Sequence, residues 1–387
     1  MLLGSIIVFV CIQWLGAVEV DWHGSLRAWP MGVVRDDQSW SVLRTGIRGE
    51  GEFFFPRGIR GGAVYELAPR LYSENTPSDL RGYNEIPHEG YRVGDFSAVL
   101  LPDSPGDDAA SVIYHDLDRL YISVPAGAGR LTLGRQSLGW GSSFFVSPTD
   151  IIAPFTFTAV DSEFRRGVDG LVFRLPWGAM NELEAGYVGG DSFAWEKSAA
   201  FMRTRLVHST LGDISPICIV FQENVLAGID YEKSILDAGF SLEMAHVFSI
   251  NSEKEDHEDD DYFRLTTGLL YRFTPRLTLR GEYHYNGASL SAEDYITART
   301  QGQIYLKNTH YGGVQKSFEI TPLTLLSTHV LAAVEDPSVS VGAMVETSLR
   351  RRDNIVLSAA FQGGIGGDSA EFSSAHRMVY GGIRWYL

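Results

Sequence analysis

The sequence predicts an all-β fold, a transmembrane antiparallel β-barrel of about 16 strands (roughly 14–18), with a long loop folded into its lumen. Three observations predict it. Apolar and polar residues alternate with a period of two, short turns alternate with long polar loops, and the composition is rich in glycine and aromatics. The alternation is clearest between Phe263 and Tyr285, where FRLTTGLLYRF is followed by the turn TPR and by LTLRGEYHY. Phe263, Leu265, Thr267, Leu269, Tyr271 and Phe273 share one face, and Arg264, Thr266, Gly268, Leu270 and Arg272 take the other. Leu277, Leu279, Gly281, Tyr283 and Tyr285 likewise oppose Thr278, Arg280, Glu282 and His284. A strand between two unlike solvents has this period, and these arms have the length of a tilted bilayer crossing. The expected register turns Arg264 and Arg272 to the lumen. A membrane-spanning sheet must close on itself, because lipid satisfies no free strand edge.

Composition agrees with a barrel and excludes other classes. The 387 residues carry a net charge of -16, which repels nucleic acid, so no nucleic-acid partner is expected. A mean hydropathy of -0.04 excludes a bundle of apolar membrane helices. It permits a barrel, whose lumen-facing residues dilute its apolar ones. The 41 glycines suit the coiling and closure of strands, and the 12% aromatic residues suit interfacial girdles.

Taken in order, residues 1–18 read as a signal peptide. The apolar run LLGSIIVFVCIQWLGAV has the right length, and the small Gly16 and Ala17 stand near a cleavage point. No basic residue precedes it, which leaves a single membrane anchor as the alternative reading. Val10 before Cys11 does not fit lipoprotein cleavage, and Cys218 alone would remain in the mature chain, without an internal disulfide partner. Residues 19–387 form the barrel. Its short turns are PAGAG at 125–129, PWGAM at 176–180, TP at 274–275 and 321–322, and RRRDN at 350–354. The long connections are 72–91, 102–110, 251–261, 287–302 and 362–374. Outer-membrane barrels show this asymmetry, with short turns in the periplasm and longer loops outside. The last strand, HRMVYGGIRWYL, turns Val379, Ile383, Trp385 and Leu387 to one face and Met378, Tyr380, Arg384 and Tyr386 to the other. It resembles the C-terminal strand that presents outer-membrane proteins to the barrel-assembly machinery, which implies an interaction through 376–387.

Residues 134–170, GRQSLGWGSSFFVSPTDIIAPFTFTAVDSEFRRGVDG, lose the two-residue period. Pro148 and Pro154 argue against a central strand, and the stretch is too long for an ordinary connection. Irregular backbone at membrane depth is tolerated inside a water-filled lumen, so 136–160 is expected to enter it and set the pore size. Gly134-Arg135-Gln136, then Trp140-Gly141, then Pro148-Thr149-Asp150 resemble the signature of Gram-negative outer-membrane porin-like barrels of the alginate-export type and related uncharacterised families. The resemblance implies a large barrel that conducts or exports polar solutes after its signal peptide is removed.

The candidate pore and constriction residues are Arg130, Arg135, Gln136, Asp150, Asp161, Glu163, Arg165, Arg166, Asp169 and Arg174, with Gly134, Trp140, Gly141 and Pro148 as the structural motif. Guanidinium groups pair bidentately with carboxylates, so these arginines either pin the loop to the wall or line an anion-attracting constriction. The acidic run NSEKEDHEDDD at 251–261 reads as an external loop near lipopolysaccharide, and its spacing makes no EF-hand. The histidines are dispersed and no HExxH or CxxCH occurs, so neither an enzyme, a metal nor a cofactor is expected. The leading reading is a porin for small polar or charged solutes in the outer membrane. Two others stay open: a sheath for periplasmic and extracellular multihaem cytochromes, and an exporter of an anionic polysaccharide.

Overall fold

The structure is a computed structural model that describes residues 18–35, 38–77, 90–94, 98–101, 110–154, 164–222, 224–249, 261–288, 306–349, 352–367, 370–373 and 377–387. Its strands are β1 (Glu19–Arg35), β2 (Gln38–Phe54), β3 (Arg60–Tyr72), β4 (Ala98–Leu101), β5 (Ser111–Ala126) and β6 (Gly129–Gln136). Next come β7 (Val168–Trp177), β8 (Asn181–Val188), β9 (Ala199–His208), β10 (Gly212–Phe221), β11 (Asn224–Ile235) and β12 (Ala238–Ser249). The chain ends with β13 (Tyr262–Thr274), β14 (Leu277–Asn286), β15 (His310–Thr321), β16 (Thr324–Ala333), β17 (Ser338–Leu349), β18 (Arg352–Ile365) and β19 (Arg377–Tyr386).

All 19 strands belong to one antiparallel sheet, and β1 pairs with both β2 and β19, which closes it. The four-residue β4 pairs only with β5, beside the stretch 113–115 that β6 is too short to reach, so 18 strands form the wall. The fold is thus a transmembrane β-barrel of the outer-membrane type. The count stands at the top of the expected range because several hairpins turn tightly, at 127–128, 209–211, 236–237, 275–276 and 322–323. The connection expected at 362–374 starts later, because β18 keeps its pairing with β17 up to Ile365.

Alternation sorts the wall into two faces. In β13, Thr266 is buried and bonds inward while Leu269 is 56% exposed on the outside. Arg264 shares the inward face and donates to Asn286 Oδ1 at 3.1 Å, and Arg272 follows on the same face. In β19, Val379, Ile383, Trp385 and Leu387 are exposed outward while Tyr380 is buried inward. Cys218 faces outward beside Met202. The acidic run and most of the loop 287–302 lie outside the described residues, as do Asp161 and Glu163; Asp261 alone of the run is described, accepting the Ser249 N–H at 2.7 Å.

The outward face predicts its own sensitivity. Leu269→Arg, in mid-strand, is expected to destabilise the folded barrel by about 2–4 kcal/mol, read by urea titration in lipid vesicles, whereas the same change at the inward Leu270 should cost far less.

Candidate functional site

Between Gln136 and Val168 the chain leaves the wall, and its described parts, 137–154 and 164–167, touch opposite sides of the interior. The outgoing limb lies on inward residues of β8–β16. Trp140 Nε1 donates to Glu184 Oε2 at 2.8 Å, and its ring packs on Phe201 with centroids 4.8 Å apart. Ser142 Oγ donates to Asp230 Oδ1 at 2.6 Å. The amides of Phe144 and Phe145 donate to the two oxygens of Glu282 at 2.8 and 3.0 Å. Thr266 Oγ1 donates to the Val146 carbonyl at 2.9 Å.

Glu243 is the principal anchor. It is 0% exposed and accepts from Ser143 Oγ at 2.7 Å, from Thr149 N and Oγ1 at 3.0 and 2.7 Å, and from Ser147 Oγ. A buried carboxylate is tolerated only when its oxygens are fully bonded, and hydroxyls spaced along one short segment supply those bonds. Gly141 has a φ of +88°, and any Cβ there would strike Ser147 Oγ and the Glu243 carboxylate, so the motif glycine is a close-approach requirement. Buried Pro148 stiffens the turn between the two Glu243-bonding residues Ser147 and Thr149. Apolar packing completes the dock. Leu138, Trp140 and Ile152 join Val172, Val188, Ile219, Leu226 and Val247, while Phe145 sits where Gly313 leaves room for its ring.

The returning limb meets the other wall. The Phe164 ring lies 4.1 Å from the Arg48 guanidinium and 5.2 Å from that of Arg27. Gly167 N donates to Asp118 Oδ1 at 3.0 Å and Arg119 Nη2 to the Arg165 carbonyl at 3.4 Å. Behind Phe164 runs an ion-pair lattice: Arg48 to Asp118 at 2.8 Å and Glu50 at 2.6 Å, Arg27 to Glu66 at 2.7 Å, and Arg384 to Glu346. The arginines of β1, β2 and β19 are thus paired with carboxylates of their own wall, while Glu184, Asp230, Glu243 and Glu282 of β8, β11, β12 and β14 hold the other limb of the insert.

The sequence candidates divide by location. Arg165 pairs with Asp150 and donates to the Ala153 carbonyl at 2.9 Å, tying the two limbs of the insert together. Half-buried Arg166 follows it. Arg174 pairs with Glu184 at 2.7 Å and so holds the carboxylate that Trp140 uses. Arg135 pairs with Asp169 at 2.8 Å, but its other donors reach the carbonyls of Leu117 and Gly94. This pair anchors the segment 91–94, with Val93 N donating to Asp169 Oδ2 at 2.9 Å. Among the described residues Gln136 reaches nearby backbone carbonyls, at 3.4–3.5 Å. Arg130 bonds Ser123 and the Gly58 carbonyl at the opposite end of β6 from the insert. Gly134 has a φ of +115° against the Leu120 carbonyl and shapes the strand end.

Sequence reasoning missed Glu184, Asp230, Glu243, Arg27, Arg48, Arg92 and Asp118 as parts of this site. Glu282 was legible as inward in its hairpin, and the alternation of FSLEMAHV around Glu243 carried the same signal. Nothing local marked Arg92, which reaches Asp116 at 2.6 Å and the Gly167 carbonyl at 2.9 Å. Among the described residues no group of three or more His, Cys, Asp or Glu could hold a metal ion. At the loop end of the barrel, Glu371 Oε2 accepts from Tyr311 Oη at 2.6 Å and Asn308 Nδ2 at 2.8 Å, and the Glu371 amide donates to Asp336 at 2.8 Å. Three connections are thereby drawn over Phe145.

This architecture defines a porin-type outer-membrane barrel: a closed wall, a polar interior and an insert across it. Neither a family model nor a curated protein matches the sequence. Solved structures do match in fold. Acinetobacter baumannii OccAB3 superposes with a TM-score of 0.60 at 10% identity, over 95% of this chain and 99% of its own. Pseudomonas aeruginosa OpdK with vanillate gives 0.59 at 9% identity, over 95% and 98%. Pseudomonas aeruginosa OccK2 in complex with glucuronate gives 0.58 at 9%, over the same shares. The chain therefore shares the fold of these outer-membrane porin and carboxylate-channel structures.

The anchors make two outcomes measurable. Glu243→Ala strands the hydroxyls of Ser143, Ser147 and Thr149 and the amides of Ser143 and Thr149, each bond worth about 1.5–3 kcal/mol to a charged acceptor. It should free 140–150 to limited proteolysis and raise single-channel conductance while the barrel stays folded. Burial, aided by the charge of Glu243 and opposed by Arg165, pushes the Asp150 carboxyl from 3.8 up to about 7. Its folded value exceeds the unfolded one, so its contribution to docking is complete below about pH 4 and is lost as pH rises through about 7. Amide exchange over 143–149 should accelerate from pH 5 to 8, after correction for intrinsic exchange, and Asp150→Asn should abolish that added dependence.

Proposed function

We propose that the chain is a porin that passes small polar and charged solutes, carboxylates among them, through a constriction built by the insert. One observation carries the reading: the described limbs of the insert dock on opposite walls, Glu243 on one side and Arg27, Arg48 and Asp118 on the other. A solute passing beside such a bridge would meet charges of both signs. A transverse field of that kind orients a solute with a carboxylate at one end toward the arginine wall. Arg70 and Arg119, half-buried on that wall, keep part of their charge toward the lumen. Vanillate and glucuronate, bound by the similar OpdK and OccK2, are solutes of this size and charge.

The same bridge weighs against the other readings. A sheath for multihaem cytochromes and an exporter of an anionic polysaccharide both need an unobstructed bore, and limbs docked on opposite walls argue against one. The signal peptide at 1–18 and the entry of residues 136–160 into the lumen belong to this proposal.

Planar-bilayer recording and liposome swelling test it. The purified chain should conduct. Arg70→Gln with Arg119→Gln should slow glucuronate entry up to about five-fold while leaving an uncharged sugar of similar size unchanged. A verified, inserted barrel without conductance would sink the channel reading.

A further inference from the structure

We infer that the lipid-facing surface around Lys316 is a binding site for an anionic phospholipid of the periplasmic leaflet. Alternation in β15 turns Lys316 outward with Val314, Phe318 and Ile320, whereas its neighbours Gln315 and Ser317 bond each other on the inward face at 2.7 Å. Lys316 stands five residues before Thr321, the strand end at the short turn 322–323. Short turns of such barrels lie in the periplasm, so the lysine emerges within the lower part of the hydrocarbon band. A charge in that position requires a partner or a route to the headgroups.

The side chain takes such a route. Its ammonium lies 5.7 Å from the centroid of the Phe318 ring, which is two residues nearer the turn. The stem thus runs toward the periplasmic rim, and the cation rests on an aromatic face, which leaves its hydrogen-bond donors directed at lipid. Register places hydroxyls beside it. Thr328 pairs directly with Lys316, and Thr324 pairs with Thr347, their hydroxyls 2.9 Å apart near the rim. Leu326 and Val345 lie side by side between these rows and offer an acyl chain an apolar floor.

Other lysines and arginines that alternation turns outward are placed differently. Lys233 is two residues from the end of β11, Arg377 opens β19, and Arg135 is paired with Asp169. Among the described residues no acidic side chain shares the outward surface of β14–β17 near Lys316, so the complement in reach is the phosphate of a lipid with net negative charge. A zwitterionic lipid would bring its own ammonium against Lys316. The inference is independent of what passes through the lumen.

Native mass spectrometry of the folded full chain tests it, with phosphatidylglycerol and phosphatidylethanolamine titrated separately. The wild type should retain one phosphatidylglycerol with about five-fold preference, the effect of one cation at an anionic headgroup. Lys316→Gln should lose the preference, Lys316→Arg should keep it, and Phe318→Leu should weaken it. Heat-modifiable electrophoretic mobility confirms that each variant is folded. Equal retention of both lipids by the wild type, or an unchanged preference in folded Lys316→Gln, overturns the proposal. So does a wild-type oligomer that Lys316→Gln dissociates, because the surface would then belong to a second copy of this chain.

Discussion

Backbone N–H and C=O groups find no water inside a bilayer, and the rest of this molecule follows from that constraint. A sheet in lipid cannot keep an edge, so β19 must return to β1, which it does from Ser25↔Tyr386 to Val34↔Arg377. Even the upper part of β5, which β6 is too short to cover, is met by β4. Closure in turn sets the two-solvent alternation along the wall strands: the outward face is apolar, and the inward face carries buried charged and polar residues beside apolar patches such as Val172, Ile219 and Leu226. The insert therefore meets an interior of both kinds.

A polar interior changes how an insert can be held. Inside a soluble core such a segment would dock through apolar surface. Here Trp140, Ser142, Ser143, Ser147 and Thr149 dock through hydrogen bonds to carboxylates, with Leu138 and Ile152 packing beside them. Acidic wall residues receive the insert's donors, and arginines of the opposite wall receive its aromatic Phe164 and its backbone through neighbouring Asp118. Docking and electrostatics are thereby one arrangement. The charges that hold the insert are also charges of the inward face around it.

Much of the wall was legible because the strand period is local. The hairpin 263–285, the faces of the last strand and most of the short turns are each readable within a dozen residues. The strand count was less legible, since 18 depends on turns such as Leu236-Asp237 that carry no glycine or proline. At the site, Arg165, Asp150 and Arg174 were found near the insert because they adjoin it in sequence. Arg135 was found too, yet it anchors 91–94, a segment some forty residues upstream. Glu243 and Glu282 lie 94 to 138 residues downstream of the hydroxyls and amides they bind, and only barrel closure brings them there.

By itself the sequence determined the solvent on each side of every clear strand, because a side chain's face depends only on its parity. It also determined that residues after Gly134 must leave the wall, since their period is broken and Pro148 cannot join a ladder. The tertiary structure alone decided which wall the insert meets, and which carboxylate accepts each donor. Those choices depend on circumference, on the number of strands and on the register of their pairing. These are properties of the closed ring rather than of any segment within it.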